Sequence, residues 1–192
     1  MFRSAFMDDL IPANPMDKVE RPKPRKDDAA PEVQALDTAE ARRLLQCLSQ
    51  EPLQWQAIIR LMLDSGCRRG EICGLRWRSV DFINNAITIE NNLQYTPEKG
   101  IFNTTPKGKK SRTIDIDPEI MSLLRELRSK QRVTTLEGYC FTQHNGEPLH
   151  PQTPTRPLHK FGEKYGCPGL HPHQLRPTAA TIAITNGADI AS

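Results

Sequence analysis

The chain has 192 residues, of which 37% are hydrophobic and 26% are charged, enough for one domain with a buried core. It has no apolar run near the roughly 18 residues that a membrane span needs, and its first residues do not resemble a secretory signal peptide. We therefore expect a cytoplasmic protein with no membrane partner. The net charge of +3 is too small to indicate a nucleic-acid partner, so that question depends on where the basic residues lie.

The cysteines fit reduced thiols, because they are five in number and form no CxxC pair. Two C-x3-H pairs, Cys140 with His144 and Cys167 with His171, could in principle supply four zinc ligands. Their spacing and their Pro and Gly neighbours are unusual for structural zinc, and buried cysteines are the commoner case. We expect no metal and no cofactor.

Composition divides the chain near residue 30. The stretch SAFMDDLIPANP is typical of the end of a helix stopped by Pro12 and Pro15, and KVERPKPRKDDAAPE is typical of a proline-rich, charged linker. The interpretation is the tail of a preceding domain over 1–15, a linker over 16–35 and a second domain over 36–192.

The second domain begins with helical patterns. Asp37 and Glu40 predict a capping box, and Gly66 predicts the end of a helix over 53–65. A short third helix follows, with Ile72 and Leu75 facing inward. The predicted inward faces of the first two helices consist of the apolar residues Ala41, Leu44, Leu45, Leu48, Ala57, Ile58, Leu61 and Met62.

A period of two then replaces the helical period. AITIENN and RTIDID alternate isoleucines with polar residues, and a middle strand fits residues 101–105. Helices are predicted from Asp117, over 153–165 and over 172–186, the last two interrupted by Pro157 and Pro177. The predicted fold is α+β, mainly helical, with a small three-stranded antiparallel sheet.

Three stretches carry basic residues that could bind phosphate. Arg68 follows the rigid stop at Gly66, and Glu71 lies three residues on, a spacing that most often gives a surface ion pair. Lys107, Lys109, Lys110 and Arg112 occupy a turn between two strands, where amines can reach a phosphate, although a solvated hairpin tip is the alternative for Lys109 and Lys110. His173 and Arg176 share one helix face. Two guanidiniums with a proton donor are what phosphoryl transfer without a metal requires.

The sequence resembles the tyrosine recombinases of the phage integrase family. DSGCRRGEICGLRW is similar to the family's first arginine box, PKGKKSRTIDI to its lysine box and HPHQLR to its H-x-x-R box. The resemblance is closest to integrases of phages and conjugative transposons. It implies the family's catalytic fold over 36–192, with the end of a core-binding, DNA-binding domain over 1–15.

The resemblance also implies a role for each matching residue. Arg68 and Arg176 would grip the scissile phosphate, whereas Arg69 would be a solvent or DNA-backbone neighbour. His173 would assist proton transfer and Glu71 would orient its neighbours.

A lysine would complete the site. Lys107 would be the general acid that protonates the 5′ oxygen, with Lys109 as the second candidate.

The sequence departs from the family in two places. The family's nucleophile is a tyrosine beyond the H-x-x-R box, but Tyr95, Tyr139 and Tyr165 all precede Arg176. We therefore expect a C-terminally truncated chain that cannot cleave DNA alone. Pro177 stands where many relatives have histidine, and it predicts a bend near 173–177.

Double-stranded DNA at attachment sites is the partner that the resemblance implies. A homotetramer on DNA, accessory DNA-bending or excision proteins and a bacterial host are further expectations. A type IB topoisomerase-like enzyme and a noncatalytic DNA-binding remnant or regulator are the alternatives. The linker could also contact the DNA backbone or be a solvated tether; its basic residues are Arg21, Lys23, Arg25 and Lys26.

Overall fold

The computed structural model describes residues 2–19, 35–104, 111–131 and 135–185, with side chains described up to residue 179. The chain separates into two compact units, Met1–Glu32 and Val33–Ser192. In the first unit, helix α1 (Phe2–Met7) is followed by a 3-10 turn (Pro15–Lys18), and none of its described residues is buried. A helix is therefore present in this stretch as predicted, and it ends at Met7, before Pro12.

Three helices begin the second unit: α2 (Thr38–Cys47), α3 (Leu53–Ser65) and α4 (Arg69–Cys73). The predicted capping box is confirmed, because the Asp37 carboxylate accepts from the Glu40 N–H and the Glu40 carboxylate accepts from the Asp37 N–H. Helix α3 ends at Gly66, whose φ of 59° lies in the left-handed region that favours glycine.

The predicted three-stranded antiparallel sheet is present, with one strand different from our expectation. It has the order β1 (Val80–Asp81), β2 (Ala86–Ile89) and β5 (Arg112–Asp115). The expected middle strand is β4 (Gly100–Thr104), which pairs instead with β3 (Asn92–Thr96) in a separate hairpin. The hairpin lies between β2 and β5 in the sequence, and β2 pairs directly with β5.

Three longer helices complete the unit: α5 (Pro118–Lys130), α6 (Thr155–Tyr165) and α7 (Pro172–Thr185). Pro157 lies in the first turn of α6, where the missing N–H costs little. Pro177 lies inside α7, which starts at Pro172 and continues past it, so a later start of this helix is excluded. The expected bend near 173–177 stays a prediction.

One hydrophobic core joins α2, α3, α5, α6 and α7 to one face of the sheet. Trp77, Phe141 and Met121 are among its largest fully buried side chains. The predicted inward residues Ile72 and Leu75 are both buried in it. In the part of the chain that the structure describes, no helix has the length and apolarity to cross a membrane.

Candidate functional site

A cavity of about 380 Å³ lies where the start of α4, strand β3 and the start of α7 meet. Arg68, His173 and Arg176 all line it. These side chains are exposed, so they are open to a ligand from solvent. Three residues that the sequence singled out from two stretches, more than 100 positions apart, therefore face one space.

Arg68 is held at the cavity by a buried carboxylate. Glu71 has 1% of its side chain exposed, and its Oε1 lies 3.3 Å from Nη1 of Arg68. Its Oε2 also accepts from the Arg68 backbone N–H at 2.8 Å. The predicted Arg68–Glu71 pair is thus present, and its carboxylate is buried rather than at the surface.

Arg112 makes the second half of the same network. Its Nη2 donates to Glu71 Oε2 at 2.7 Å and its Nη1 to Oε1 at 3.2 Å, the two-pronged geometry of a strong arginine–carboxylate pair. Burial disfavours the ionised form of Glu71, but the bonds from Arg112 and Arg68 outweigh burial and lower its pKa. The guanidinium of Arg112 thus bonds Glu71, and its expected contact with DNA stays a prediction.

Gly66 shapes the α7 side of the cavity through its left-handed φ of 59°. A Cβ built on Gly66 would lie 3.6 Å from Ala179 Cβ and 4.0 Å from Arg176 Cγ, which are ordinary contact distances. The glycine therefore turns the chain at the end of α3, beside α7 and just before Arg68. Thr178, which is fully buried, donates to the Gln174 carbonyl at 2.6 Å and accepts from the Leu36 N–H at 2.8 Å.

His173 lies in the first turn of α7, with its ring centroid 6.1 Å from that of His171 in an edge-to-face arrangement. The His171 backbone N–H donates to Gln174 Oε1 at 3.1 Å, which closes the start of the helix. An exposed imidazole at this place can donate to an anion held by the arginines and can exchange a proton with solvent.

Arg69 has a partner that the sequence did not indicate, and its expected role as a solvent or DNA-backbone neighbour stays a prediction. It is half-buried, its Nη1 donates to Thr155 Oγ1 on α6, and it lines the same cavity as Arg68. The sequence offered no signal for this bond, because the two residues are 86 positions apart. Tyr95, which we did not assign to the site, also lines the cavity and packs against His150 with ring centroids 4.5 Å apart.

Several predicted residues lie outside the described part of the chain. They are Lys107, Lys109 and Lys110 of the lysine box, and Arg21, Lys23, Arg25 and Lys26 of the linker. Two residues that flank the lysine box are described. Thr104 donates to the Asn92 carbonyl at 3.0 Å, and Asn92 lines the cavity, while Arg112 contacts Glu71.

The cysteines and histidines of the C-x3-H pairs do not gather. Cys140 and Cys167 are buried, and His144 is exposed. Among the residues that the structure describes, no group of three or more His, Cys, Asp or Glu side chains could hold a metal ion.

Comparison with known proteins identifies the family. Residues 34–192 match the phage integrase family, so the chain belongs to it. The tyrosine recombinase XerC-like protein of Caldanaerobacter subterraneus subsp. tengcongensis is 25% identical over 201 residues, which cover 94% of this chain and 48% of that protein. The tyrosine recombinase XerA of Pyrococcus furiosus is 29% identical over 160 residues, which cover 81% of this chain and 50% of the relative. The chain thus spans about half the length of these relatives.

The fold has a matching solved structure. The integrase of the Tn1549 transposon, solved in complex with a circular intermediate DNA, superposes with a TM-score of 0.74 at 21% identity. The match covers 98% of this chain and 64% of that one. The predicted fold class, a mainly helical recombinase catalytic fold with a small antiparallel sheet, is confirmed by this likeness.

Proposed function

We propose that this chain supplies the phosphate-binding part of a tyrosine-type site-specific recombinase acting on double-stranded DNA. The observation that carries the proposal is the single cavity lined by Arg68, His173 and Arg176. Two guanidiniums and an imidazole around one space fit a phosphodiester, whose charge grows in the transition state of transfer. Family membership supports the same reaction class.

The reaction proposed is a transesterification without a metal. A tyrosine hydroxyl attacks the phosphorus and releases its proton, the bond from phosphorus to the 5′ oxygen breaks, the 5′ oxygen takes up a proton, and a 3′ phosphotyrosyl link forms. Arg68 and Arg176 balance the negative charge of the five-coordinate phosphorane, and His173 donates a hydrogen bond to one of its oxygens. Because the link conserves the bond energy, a 5′ hydroxyl can reverse the step and rejoin the strands.

Lys107 is proposed as the general acid that protonates the departing 5′ oxygen, with Lys109 as the second candidate. Two contacts support this role: Thr104 bonds Asn92, which lines the cavity, and Arg112 bonds Glu71, which holds Arg68.

The nucleophile is not assigned to this chain. The Tyr139 hydroxyl is not placed to attack a phosphate in the cavity, because it accepts hydrogen bonds from Asn103 Nδ2 at 3.0 Å and from Arg76 Nη2 at 3.3 Å. The Tyr165 hydroxyl donates to Glu51 Oε1 at 3.0 Å. Tyr95 lines the cavity, but its ring packs against His150 and it precedes Arg176, whereas the family's nucleophile follows the H-x-x-R box. We propose that the 192 residues alone bind DNA without cleaving it. A phosphotyrosyl adduct formed by this chain on a nicked duplex would contradict that proposal.

The wider setting is also proposed. Residues 1–15 would be the end of a core-binding domain, 16–35 a linker that follows the duplex backbone, and 36–192 the catalytic domain. The complete recombinase would act in the bacterial cytoplasm as a homotetramer on two DNA sites, with accessory DNA-bending or excision proteins. A type IB topoisomerase-like enzyme would instead relax supercoils without pairing two sites.

The test is the affinity of the chain for a labelled duplex, measured by fluorescence anisotropy over a range of KCl concentrations. Affinity falls as salt rises, and each lost phosphate contact should reduce the magnitude of the slope of log K against log salt, called the slope from here on, by about 0.9. Arg68→Gln and Arg176→Gln should each lower it by that amount. The control is Arg42→Gln, an exposed arginine on α2 that lines none of the cavities described for this structure. Equal slopes for the wild type and the three variants would contradict the proposal that Arg68 and Arg176 hold one phosphate between them. We call this pair the clamp.

A further inference from the structure

A second basic cavity adjoins the clamp. It has a volume of about 630 Å³, lies along α6 and is lined by Arg69, Arg156, Lys160 and other side chains. Arg69 and Gln152 line both cavities, so the two spaces share a wall. Arg69 is therefore the one arginine described at both.

The hydrogen bond from Arg69 to Thr155 holds the guanidinium between the cavities. The bond uses one of the five N–H donors of the guanidinium and leaves its full charge in place. Thr155 is the first residue of α6, and Arg156 follows it on the exposed side of the helix. A guanidinium half-buried and anchored in this way loses little conformational entropy when it binds an anion.

The charges around the second cavity favour an anion overall. Arg69, Arg156 and Lys160 contribute three positive charges, and Glu163 contributes one negative charge. The carboxylate of Glu163 is turned toward His159, whose Nδ1 lies 3.4 Å from its Oε1. The cavity is open to solvent on the exposed face of α6, where a strand can enter.

We propose that Arg69 binds a second backbone phosphate of the DNA strand whose scissile phosphate occupies the clamp, together with Arg156 and Lys160. Successive phosphates on one strand are fixed by the strand itself, so two adjoining cationic cavities can set the position of the strand along the clamp. The inference rests on the proposed function, because it needs a phosphate at Arg68 and Arg176. It assigns Arg69 a ligand contact rather than a purely structural bond.

The test compares salt slopes and affinities on the same labelled duplex. Arg69→Gln should lower the slope by about 0.9 and weaken binding several-fold, because one neutralised phosphate is lost. Arg69→Lys should keep the slope, because an ammonium still neutralises the phosphate. Thr155→Val should keep the slope and weaken binding less than Arg69→Gln does, since only the anchor is removed.

Two further variants change exposed residues, which can be replaced without disturbing the fold. Arg156→Gln should lower the slope as Arg69→Gln does, and Glu163→Gln should raise affinity by removing a repulsive charge from the same cavity. Arg42→Gln is the matched control and should leave both slope and affinity unchanged.

The outcomes separate this inference from the proposed function. If Arg68→Gln lowers the slope but neither Arg69→Gln nor Arg156→Gln does, the clamp stands and the second phosphate site is wrong. If Arg69→Gln and Arg69→Lys lower the melting temperature equally and leave the slope unchanged, Arg69 is only a strut between α4 and α6. If Arg68→Gln also leaves the slope unchanged, the proposed function itself fails.

Discussion

The guanidinium of Arg112 on β5 donates two hydrogen bonds to the buried carboxylate of Glu71 on α4, at 2.7 and 3.2 Å. The same carboxylate accepts from Arg68. A buried anion that is held from two elements cannot shift without breaking several charged bonds. Glu71 therefore fixes Arg68 in the position that a phosphate-binding guanidinium needs.

Replacing Glu71 by glutamine should destabilise the fold. An amide cannot accept from both arginines in the two-pronged geometry, and it places an NH₂ group against their donors. We expect Glu71→Gln to lower the free energy of unfolding by about 1–3 kcal/mol in urea titrations. DNA affinity should also fall, because Arg68 loses its support.

Glu126→Gln is the control for this change. Glu126 is half-exposed and pairs with Lys130 one helical turn away, at 2.6 Å. Exposed pairs of this kind contribute little, so the free energy of unfolding should change by less than about 0.5 kcal/mol. Equal losses for the two variants would show that burial of Glu71 carries no special weight.

The stability of the chain should depend on pH through Glu71. Its pKa is lowered in the folded state, so the folded state holds this proton less tightly than the unfolded state. The contribution of the Glu71 carboxylate to stability is fully present above its ordinary pKa of 4.5, and it is lost as the pH falls through the lowered pKa of the folded state. The difference in unfolding free energy between the wild type and Glu71→Gln should therefore narrow below about pH 4.5. A difference that is constant from neutral to acid pH would contradict the role of the ionised carboxylate.

Thr178 ties α7 to the start of the second unit, and its loss should be costly. Thr178→Val keeps the shape but leaves the Leu36 N–H without its buried acceptor, which should cost about 1–3 kcal/mol. Thr113→Val is the matched control, because Thr113 is exposed on β5, where its hydroxyl lies 3.1 Å from the Thr88 hydroxyl. Chemical denaturation would measure the free energy of unfolding of both variants. A control as damaging as Thr178→Val would refute the argument.

Gly70 permits α4 to lie against β3. A Cβ on Gly70 would meet Asn92 Oδ1 and the Leu93 carbonyl at 2.4 and 2.5 Å, and the second of these is backbone. Gly70→Ala should therefore push α4 away, cost about 1–3 kcal/mol and weaken DNA binding through Arg68 and Arg69.

Gly138→Ala provides a milder comparison, because its Cβ would lie 3.1 Å from the Thr135 carbonyl, outside the site. It should cost less and leave DNA affinity unchanged. If Gly70→Ala has normal stability and affinity, the close approach of α4 to β3 has no functional consequence.

Local signals predicted the helices well, because caps act within a few residues. The Asp37 and Glu40 capping box and the Gly66 stop were readable from neighbouring residues alone. The third strand of the sheet was not. Val80–Asp81 has two residues, too few for any period. The strand-like pattern predicted at 101–105 instead contributes to β4 (Gly100–Thr104), which pairs in the β3–β4 hairpin.

The site shows the same limit. The three-residue spacing predicted the Arg68–Glu71 pair, and the one-face spacing predicted that His173 and Arg176 act together. Nothing local indicates that Arg112 contacts Glu71 41 residues away, or that Arg69 contacts Thr155. Such contacts depend on how the helices pack against the sheet, which the sequence pattern leaves open.

The most direct test of the clamp is a crystal structure of the chain bound to a DNA duplex. We predict one backbone phosphate in the cavity, with guanidinium nitrogens of both Arg68 and Arg176 about 2.7–2.9 Å from its oxygens. A phosphate bound outside this cavity, or two arginines on different phosphates, would contradict the account.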